Sequence, residues 1–510
     1  MSPRLGETST VSDDGPNGSA IDRLRAAAGD RLGVDRRALA AFRIGLGIVL
    51  LVDLGLRARN LTAFYTDAGV LPRAALAETY PLAARVSLHA LADGPLAVAA
   101  LFALAGVAAA ALAVGHRTRL AAAASLALLL SLQARNPLVL NAGDLLLAHL
   151  LGVGLLCPLG SRWSIDAVRR DGGASGTGDR SGGAGDRFVG PASTLLLTVT
   201  VVVYASNAIV KLRGAAWTTG DAVGRVFRLT YLHGPLGGLV PEVPGLLSVA
   251  TYGWLGLLAA SPLLVLATGR LRAALAGVFV AGHLAMPFVL QIGVFPLVSV
   301  VGLLPFFPPA VWDRAERRVA PVATRVGGVV RAPRSGPSGP GSVARRVAAA
   351  GRRAAPVVAA VLLAALLCWN ALAIGVVATP EPVAAVSDPA ESGWDMFAPD
   401  PPTTDRLVLA TAATADGDRV DALYGDVVAA DRPPTEARAY PTARWRKFLT
   451  LLADSPEPTR TRHLLGHLCD RAGGRADAAV ERVEVSFVSV DVVDGETRVA
   501  SLGERRCDRR

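Results

Sequence analysis

Long apolar stretches, separated by short basic connections, dominate the first three quarters of the chain. A helix needs roughly 20 apolar residues to cross the core of a bilayer. Nine stretches approach that length: about Ala38–Leu56, Pro95–Val114, Leu120–Ala134, Gly143–Leu159, Ala192–Leu212, Leu246–Ala267, Leu271–Leu290, Gly293–Trp312 and Pro356–Val377. The pattern predicts an all-α polytopic membrane helix bundle with about nine transmembrane helices.

The pattern changes after the ninth stretch, where short alternating runs replace the long apolar ones. Two pairs of such runs flank an Asp-Gly dipeptide, which is typical of a β-hairpin turn: Leu407–Thr414 with Arg419–Leu423, and Val483–Val493 with Arg498–Leu502. Thr442–Leu452 and Arg462–Arg471 between them have helical spacing. We therefore predict a small C-terminal α+β domain.

These patterns divide the chain into five parts. Residues 1–37 form a polar tail and a surface helix, and residues 38–312 form a bundle of eight spans that contains a Gly-rich linker at 171–186. Residues 313–355 are a basic linker rich in proline and glycine. Residues 356–378 are the ninth span, and residues 379–510 are the C-terminal domain.

Charge supports this division and predicts an orientation. Residues 379–510 carry 17 basic and 23 acidic side chains, whereas residues 1–378 carry 35 and 19. Short cytoplasmic loops concentrate arginine and lysine, and alternate connections here are arginine-rich. The pattern indicates a multi-pass protein of the cell membrane, with its N-terminus in the cytoplasm and its C-terminal domain outside. No basic run contains an aromatic stacking platform, so nucleic acid is not an expected partner.

The four cysteines do not form a metal motif. They have no CxxC spacing and no histidine at zinc-site spacing, so we predict no metal site. Cys469 and Cys507 both lie in the predicted outer domain, where an oxidising environment permits a disulfide between them.

Lys211 is the strongest candidate for chemistry. It ends an apolar stretch and is one of only two lysines, the other being Lys447, in a chain with 50 arginines. An amine can lose its proton in an apolar site, whereas a guanidinium cannot. Lys211 is therefore a candidate base. The alternative is a lysine that extends its ammonium to the headgroup region from the end of a helix.

Other polar residues lie at membrane depth. Asp144 is interpreted either as a helix-capping acid, or as a partner of Lys211 or a proton acceptor. Asp53 is expected to pair with an arginine such as Arg57. His149 and His283 lie within predicted spans and are interpreted as structural or as functional side chains that face the interior.

Four groups of residues, in chain order, resemble motifs of one family. They are Asp35-Arg36-Arg37 and Phe42-Arg43 with Asp53 and then Tyr65 to Arg73; Asn136-Pro137 with Asn141-Ala142-Gly143-Asp144; Tyr204 with Lys211-Leu212, Trp217 and Gly220-Asp221-Ala222; and Trp394 to Pro401, including Phe397, with Arg444-Trp445-Arg446-Lys447-Phe448. Together they resemble the HTTM (horizontally transferred transmembrane) domain family, which is related to vitamin K-dependent γ-carboxylases.

The resemblance implies a chemistry and a site. In the carboxylases a lysine deprotonates a reduced naphthoquinone, and the oxygenated product removes a γ-proton from glutamate so that carbon dioxide can add. The implied cofactor is reduced menaquinone or another naphthoquinone, and the implied substrate is a protein or peptide. Lys211, Asp144 and Asn141 are the implied catalytic residues, and Tyr204, Trp217, Asp221 and His149 the implied pocket. The enzymes have an Asn-His pair where this chain has Asn141-Ala142, which puts epoxidation and carboxylation in question.

Three classes of function stay open at this level. The chain is a quinone-dependent carboxylase-like enzyme or oxidoreductase, a non-enzymatic membrane factor that helps a partner protein to mature or be exported, or a transporter. A transporter built from repeats is expected to show paired, interrupted helices in two halves, and no such repeat is evident.

Overall fold

A computed structural model describes residues 20–92, 94–171, 186–327, 342–385, 387–429, 432–476 and 478–507. The predicted N-terminal tail and Gly-rich linker fall largely outside these ranges, as do residues 328–341 of the linker predicted at 313–355; the described parts of that linker are helical and not irregular, because α17 continues to Gly327 and α18 begins at Ser342. The predicted surface helix is present as a helix that ends at Leu32, and the first long helix begins at Arg36, two residues earlier than expected. Asp35 sets that start because its side chain accepts a hydrogen bond from the backbone N–H of Arg37.

Helices make up most of the first 384 residues. In chain order they are α1 (Ala20–Leu32), α2 (Arg36–Ala58), α3 (Leu61–Tyr65), α4 (Arg73–Thr79), α5 (Pro81–Val86), α6 (Gly94–Val114), α7 (Thr118–Arg135), α8 (Ala142–Gly154), α9 (Ile165–Asp171), α10 (Pro191–Lys211), α11 (Ala215–Thr219), α12 (Ala222–Arg228), α13 (Pro244–Ala259), α14 (Leu263–Leu266), α15 (Gly269–Val289), α16 (Phe295–Leu303), α17 (Pro309–Gly327), α18 (Ser342–Ala373) and α19 (Glu381–Ala384). Strands β1 (Val34–Asp35) and β2 (Arg187–Phe188) pair antiparallel beside them.

Five of the described helices are long and apolar enough to cross a membrane. They are α2, α6, α10, α15 and residues 353–373 of α18. The predicted eighth span is instead broken: Phe295–Phe306 and Pro309–Arg318 meet at 107°. Prolines 305, 308 and 309 at that break lack the N–H that would continue the helix. The predicted fourth and sixth spans contain the shorter apolar helices α8 and α13, so nine spans stay a prediction.

The helices run between two ends of the bundle. Ala58, the start of α8, Lys211 and Val289 lie at the end that contacts the C-terminal domain, which we call the domain end. Arg36, Val114, the end of α8, Pro191 and Gly269 lie at the other end, which we call the opposite end. At the centre, α10 packs against α8, α13, α16 and α18, so a side chain on its last turns is surrounded by helices.

The C-terminal domain is a five-stranded antiparallel sheet with two helices. The strand order is β5-β4-β3-β6-β7, and the elements are β3 (Thr404–Thr414), β4 (Arg419–Asp421), β5 (Val427–Val428), α20 (Ala443–Asp454), α21 (Pro458–Gly473), β6 (Val480–Asp491) and β7 (Thr497–Arg506). Both predicted hairpins and both predicted helices are confirmed. Cys469 on α21 and Cys507 after β7 form the predicted disulfide and are 38 positions apart in the sequence.

Candidate functional site

One face of the last two turns of α10 carries three buried polar side chains. Tyr204, Asn207 and Lys211 are spaced by three and four residues, so they lie on the same side of the helix. Lys211 is only 1% exposed. The helix ends directly after it, because residues 212–214 turn away toward α11. Lys211 therefore combines burial with a position at the domain end of the bundle.

The amino group of Lys211 is held by backbone carbonyls. Its Nζ donates hydrogen bonds to the carbonyl oxygens of Met396 at 2.6 Å and Phe397 at 3.1 Å. It also lies 3.9 Å from the centroid of the Trp217 ring, a cation–π contact. No carboxylate of the described residues is within 4.0 Å of this nitrogen. The group is thus fixed in place without an ion pair.

Residues 394–397 form a segment that lies over the domain end and is held there by hydrogen bonds from α10 and α11. The Asn207 amide donates to the Trp394 carbonyl at 2.8 Å, and Trp217 Nε1 donates to the Phe397 carbonyl at 2.8 Å. Phe397 adopts φ = +55°, a left-handed conformation that is unusual for an aromatic residue. Gly214 allows the chain after this segment to approach closely, since an added Cβ would lie 1.9 Å from the Pro399 oxygen.

A mainly apolar cavity of about 290 Å³ lies beside Lys211. Aromatic rings supply much of its wall, and its lining includes Tyr204, Trp217, Trp254, His283, Phe295 and Trp394. Tyr204 stacks on Phe279 with 4.6 Å between ring centroids, which holds its hydroxyl near His283. The cavity offers flat apolar surfaces and a few polar atoms, an arrangement typical of small-molecule sites.

His283 has a defined tautomer in this wall. Its Nδ1 lies 2.8 Å from the Phe279 carbonyl oxygen, and because a carbonyl only accepts, Nδ1 carries the proton. Its Nε2 is then an acceptor, 3.5 Å from the Tyr204 hydroxyl. The cavity therefore contains a donor at Lys211 and an acceptor at His283.

A second polar cluster lies at the same end and contains four buried charges. Arg57 donates to Asp53 at 2.6 Å and to Asp144 at 2.5 Å. Arg444, on α20 of the C-terminal domain, donates to Asp53 at 2.8 Å and to Asp144 at 3.0 Å. We call these four residues the charge cluster. It is neutral in sum, and it joins α2, α8 and the C-terminal domain.

Helix capping places Asp144 in this cluster. The Asn141 side chain accepts from the Gly143 N–H at 2.9 Å, and Asp144 accepts from the Asn141 N–H at 2.9 Å, which together make a capping box at the start of α8. Burial and the charge of Arg57 would lower the pKa of the Arg444 guanidinium, but Tyr65 and the carboxylates of Asp144 and Asp53 hold it above its usual value. The helix-capping interpretation of Asp144 agrees with these contacts.

The residues singled out from the sequence thus fall in several places. Lys211, Tyr204, Trp217, Trp394 and Phe397 meet at the cavity, whereas Asp144, Asn141 and Asp53 belong to the charge cluster and its cap.

The remaining candidates lie apart from the cavity wall. His149 is exposed, with its ring 6.1 Å from that of Trp394. Asp221 accepts from Thr219 at the start of α12. Arg43 donates to the Trp163 carbonyl near the opposite end, and Lys447 is exposed on α20.

Sequence reasoning missed two contributors. Asn207 is one helical turn before Lys211, so the spacing alone could have indicated it. Arg444 lies in one of the HTTM-like motifs, but its partners Asp144 and Asp53 are 300 and 391 residues away in the sequence. No local pattern predicts these contacts. Within the described ranges, no three histidine, cysteine, aspartate or glutamate side chains come together to hold a metal ion.

No family model matches this chain, and no curated protein or solved structure is significantly similar to it.

Proposed function

We propose that this integral membrane protein binds a lipid quinone in the cavity beside Lys211, and that the Lys211 amine takes a proton from the reduced ring. The observation that carries the proposal is the position of the amino group. It lies at the wall of an apolar, aromatic cavity that Asp395 also lines, and no carboxylate of the described residues is within 4.0 Å of it. The HTTM-like motifs that contain Lys211 and Trp394 supply independent support for the same ligand class.

The cavity fits an aromatic ring. Ligand sites are commonly apolar, have volumes of roughly 300–1,000 Å³ and contain few polar atoms; this cavity of about 290 Å³ is at the small end of that range. Trp254 and Phe295 provide flat surfaces on which a ring can stack. Lys211 and the Nε2 acceptor of His283 are polar partners for the ring oxygens.

The geometry around Lys211 suits both protonation states of its side chain. A neutral amine has two N–H groups, and two carbonyls accept from Nζ. The neutral amine can therefore keep both hydrogen bonds and still present a lone pair. The accepted proton takes the place of the lone pair, so the third N–H points to the ring oxygen that supplied it, and the π face of Trp217, 3.9 Å from Nζ, stabilises the resulting cation. A reduced naphthoquinone supplies the acidic hydroxyl group, and the enclosing helices exclude water from the transfer.

We also propose that the chain belongs with the HTTM proteins, as a quinone-dependent enzyme with an unidentified protein or peptide substrate. The charge cluster limits how far the carboxylase analogy extends. Asp144 is bound by two arginines at the start of α8, and position 142 is alanine, so neither supplies an assisting base in the cavity. The proposal therefore assigns proton abstraction to Lys211 and leaves carboxylation out.

The test uses the purified full chain without oxygen and a reduced, short-tailed naphthoquinone. Binding is measured by quenching of tryptophan fluorescence, ring ionisation by absorbance, and proton release by a pH indicator. In the wild type we expect saturable binding and ionisation with no net proton release, because the proton moves to Lys211. Lys211→Met is expected to bind within about threefold of the wild type and to lose ionisation at neutral pH, because no base remains.

Lys211→Arg separates charge from basicity. Arginine stays protonated, so any ionisation beside it must release a proton to the solvent. Lys447→Arg is the matched control, since it changes the only other lysine, which is exposed. Wild-type behaviour of Lys211→Arg or Lys211→Met in both ionisation and proton release would refute the base role. Absence of saturable quenching in the wild type would refute quinone binding.

A further inference from the structure

A second cavity, of about 760 Å³, opens at the opposite end of the bundle. Its walls come from the starts of α2 and α7, the end of α8, the loop that follows α8, and α9. The first membrane-crossing helix begins at Arg36 and the second ends at Val114, three residues before Arg117. The cavity is therefore at the level where one surface of the membrane meets the protein.

Four arginines and an apolar wall line this cavity. Arg36, Arg117, Arg119 and Arg170 supply positive charge, and leucines 120, 155 and 159 supply the apolar surface. Among the described residues, no carboxylate lies within 4.0 Å of any of these four guanidinium groups. Arg170 donates one hydrogen bond to the Gly160 carbonyl. The charge of the group is consequently available to an anion.

The one carboxylate in the lining, that of Asp166, already accepts hydrogen bonds from the start of α7. Asp166 accepts from the backbone N–H groups of Arg117 and Thr118 at 2.9 and 2.8 Å, and from the Thr118 hydroxyl at 2.8 Å. Burial opposes ionisation of Asp166, but the hydrogen bonds from Thr118 and Arg117 lower its pKa. Its charge holds the start of α7 and does not neutralise the arginines by direct contact.

A buried hydroxyl adds to the excess of donors. Ser161 Oγ, in the same lining, is inaccessible to solvent and has no hydrogen-bond partner among the described residues. A buried polar group without a partner costs free energy, so such groups commonly face a ligand or water. The cavity therefore combines arginine donors, an unpaired hydroxyl and an apolar wall at a membrane surface.

We propose that this cavity binds the phosphate group of an anionic phospholipid, with the acyl chains of the lipid against the leucine wall. Arginine recognises phosphate through charge-assisted hydrogen bonds, and basic pockets between membrane helices bind anionic headgroups. The site is separate from the Lys211 cavity, and the proposal does not depend on a quinone.

Native mass spectrometry of the full chain in a neutral detergent tests it. Phosphatidylglycerol is titrated, the bound lipid is counted, and an apparent Kd is obtained. Arg119→Gln is expected to raise that Kd by about tenfold or more, since it removes a charge-assisted contact. Arg117→Asn is expected to act similarly, and asparagine suits the left-handed φ of +45° at that position. Ser161→Ala is expected to cause a smaller loss.

Arg270→Gln is the matched control. Arg270 is an exposed arginine at the opposite end, at the start of α15 and outside the cavity lining. The proposal requires Arg270→Gln to bind like the wild type, and phosphatidylcholine not to compete. Equal weakening by Arg270→Gln and Arg119→Gln, or unchanged binding by Arg119→Gln, overturns it. Glycerol phosphate is added in a separate experiment. If it competes as strongly as phosphatidylglycerol does, the ligand is a free phosphate ester and the proposal of a lipid ligand is overturned.

Discussion

At the scale of single residues, the charge cluster shows how ionised groups are retained where water is excluded. Arg57, Asp53 and Asp144 are at most 1% exposed, and the Arg444 side chain is 8% exposed. Each carboxylate contacts both arginines, so no member depends on a single partner. If one charge is removed, the other three residues carry a net charge in the interior. Burying an uncompensated charge costs far more free energy than the loss of an ion pair at the surface.

We therefore expect Asp144→Asn to destabilise the protein by about 3–5 kcal/mol. The amide removes one negative charge and leaves two arginines facing one carboxylate. Thermal unfolding of the full chain in detergent measures the effect.

Glu496→Gln is the control for this change, because it breaks an exposed pair with Arg498 on the C-terminal domain. Its melting temperature should equal that of the wild type. Equal melting temperatures for Asp144→Asn and Glu496→Gln would show that the cluster does not contribute to stability.

At the scale of secondary-structure elements, α20 and α21 attach the C-terminal domain to the bundle. Trp445 and Phe448 on α20 pack against Phe64, with 4.9 and 6.2 Å between ring centroids. On α21, His467 Nδ1 donates to the Ala68 carbonyl at 2.8 Å, and its ring stacks near Trp445. Thus α20 contacts α3, and α21 contacts the loop after it.

This contact is expected to weaken at low pH. Burial, with a smaller effect of Arg471, lowers the pKa of His467 below its usual value of about 6.5, although its bond to Ala68 opposes the shift. As the pH falls below about 6.5, the unfolded chain takes up a proton that the folded chain resists, so the free energy of unfolding decreases.

His467→Asn tests the assignment, because its amide can still donate a hydrogen bond and does not titrate. The decrease in melting temperature between pH 7.5 and pH 5 should be smaller in this variant than in the wild type. His463 titrates in both proteins, so the difference isolates His467. An identical decrease in both would exclude His467 as its source.

The elements also show which features a sequence can reveal. Both hairpins were predictable because Asp-Gly turns and alternation are local signals. The break between α16 and α17 also has a local signal, prolines 305, 308 and 309, which the count of apolar residues overlooked. The shortness of α8 was not predictable, because apolar composition does not report where a helix ends. Lys211 was found by its rarity among arginines. Its partners are the backbone carbonyls of Met396 and Phe397. Every residue has such a carbonyl, so residue type does not predict which ones bind Lys211.

At the scale of the whole molecule, the bundle and the C-terminal domain meet at one end. The Lys211 cavity and the charge cluster are both at this end, and the arginine-lined cavity is at the other. From the distribution of arginines we predict that the arginine-lined end is cytoplasmic and that the domain end faces outward.

Cysteine labelling in intact cells tests this orientation. In a background with Cys157 and Cys368 replaced by alanine, a membrane-impermeant reagent should label Ser455→Cys, which is exposed on the C-terminal domain. It should not label Ser338→Cys in the basic linker until the cells are permeabilised. Labelling of Ser338→Cys alone in intact cells would reverse the orientation.

The charge cluster has a consequence for the order of events during synthesis. Arg444 follows Asp144 by 300 residues, and at roughly 5–20 residues per second it emerges about 15–60 seconds later. During that interval Arg57 faces both Asp53 and Asp144, and the three charges sum to one negative charge. Burying that net charge is unfavourable. This part of the nascent bundle therefore stays hydrated until Arg444, in the last quarter of the chain, has been translated and has reached the two carboxylates.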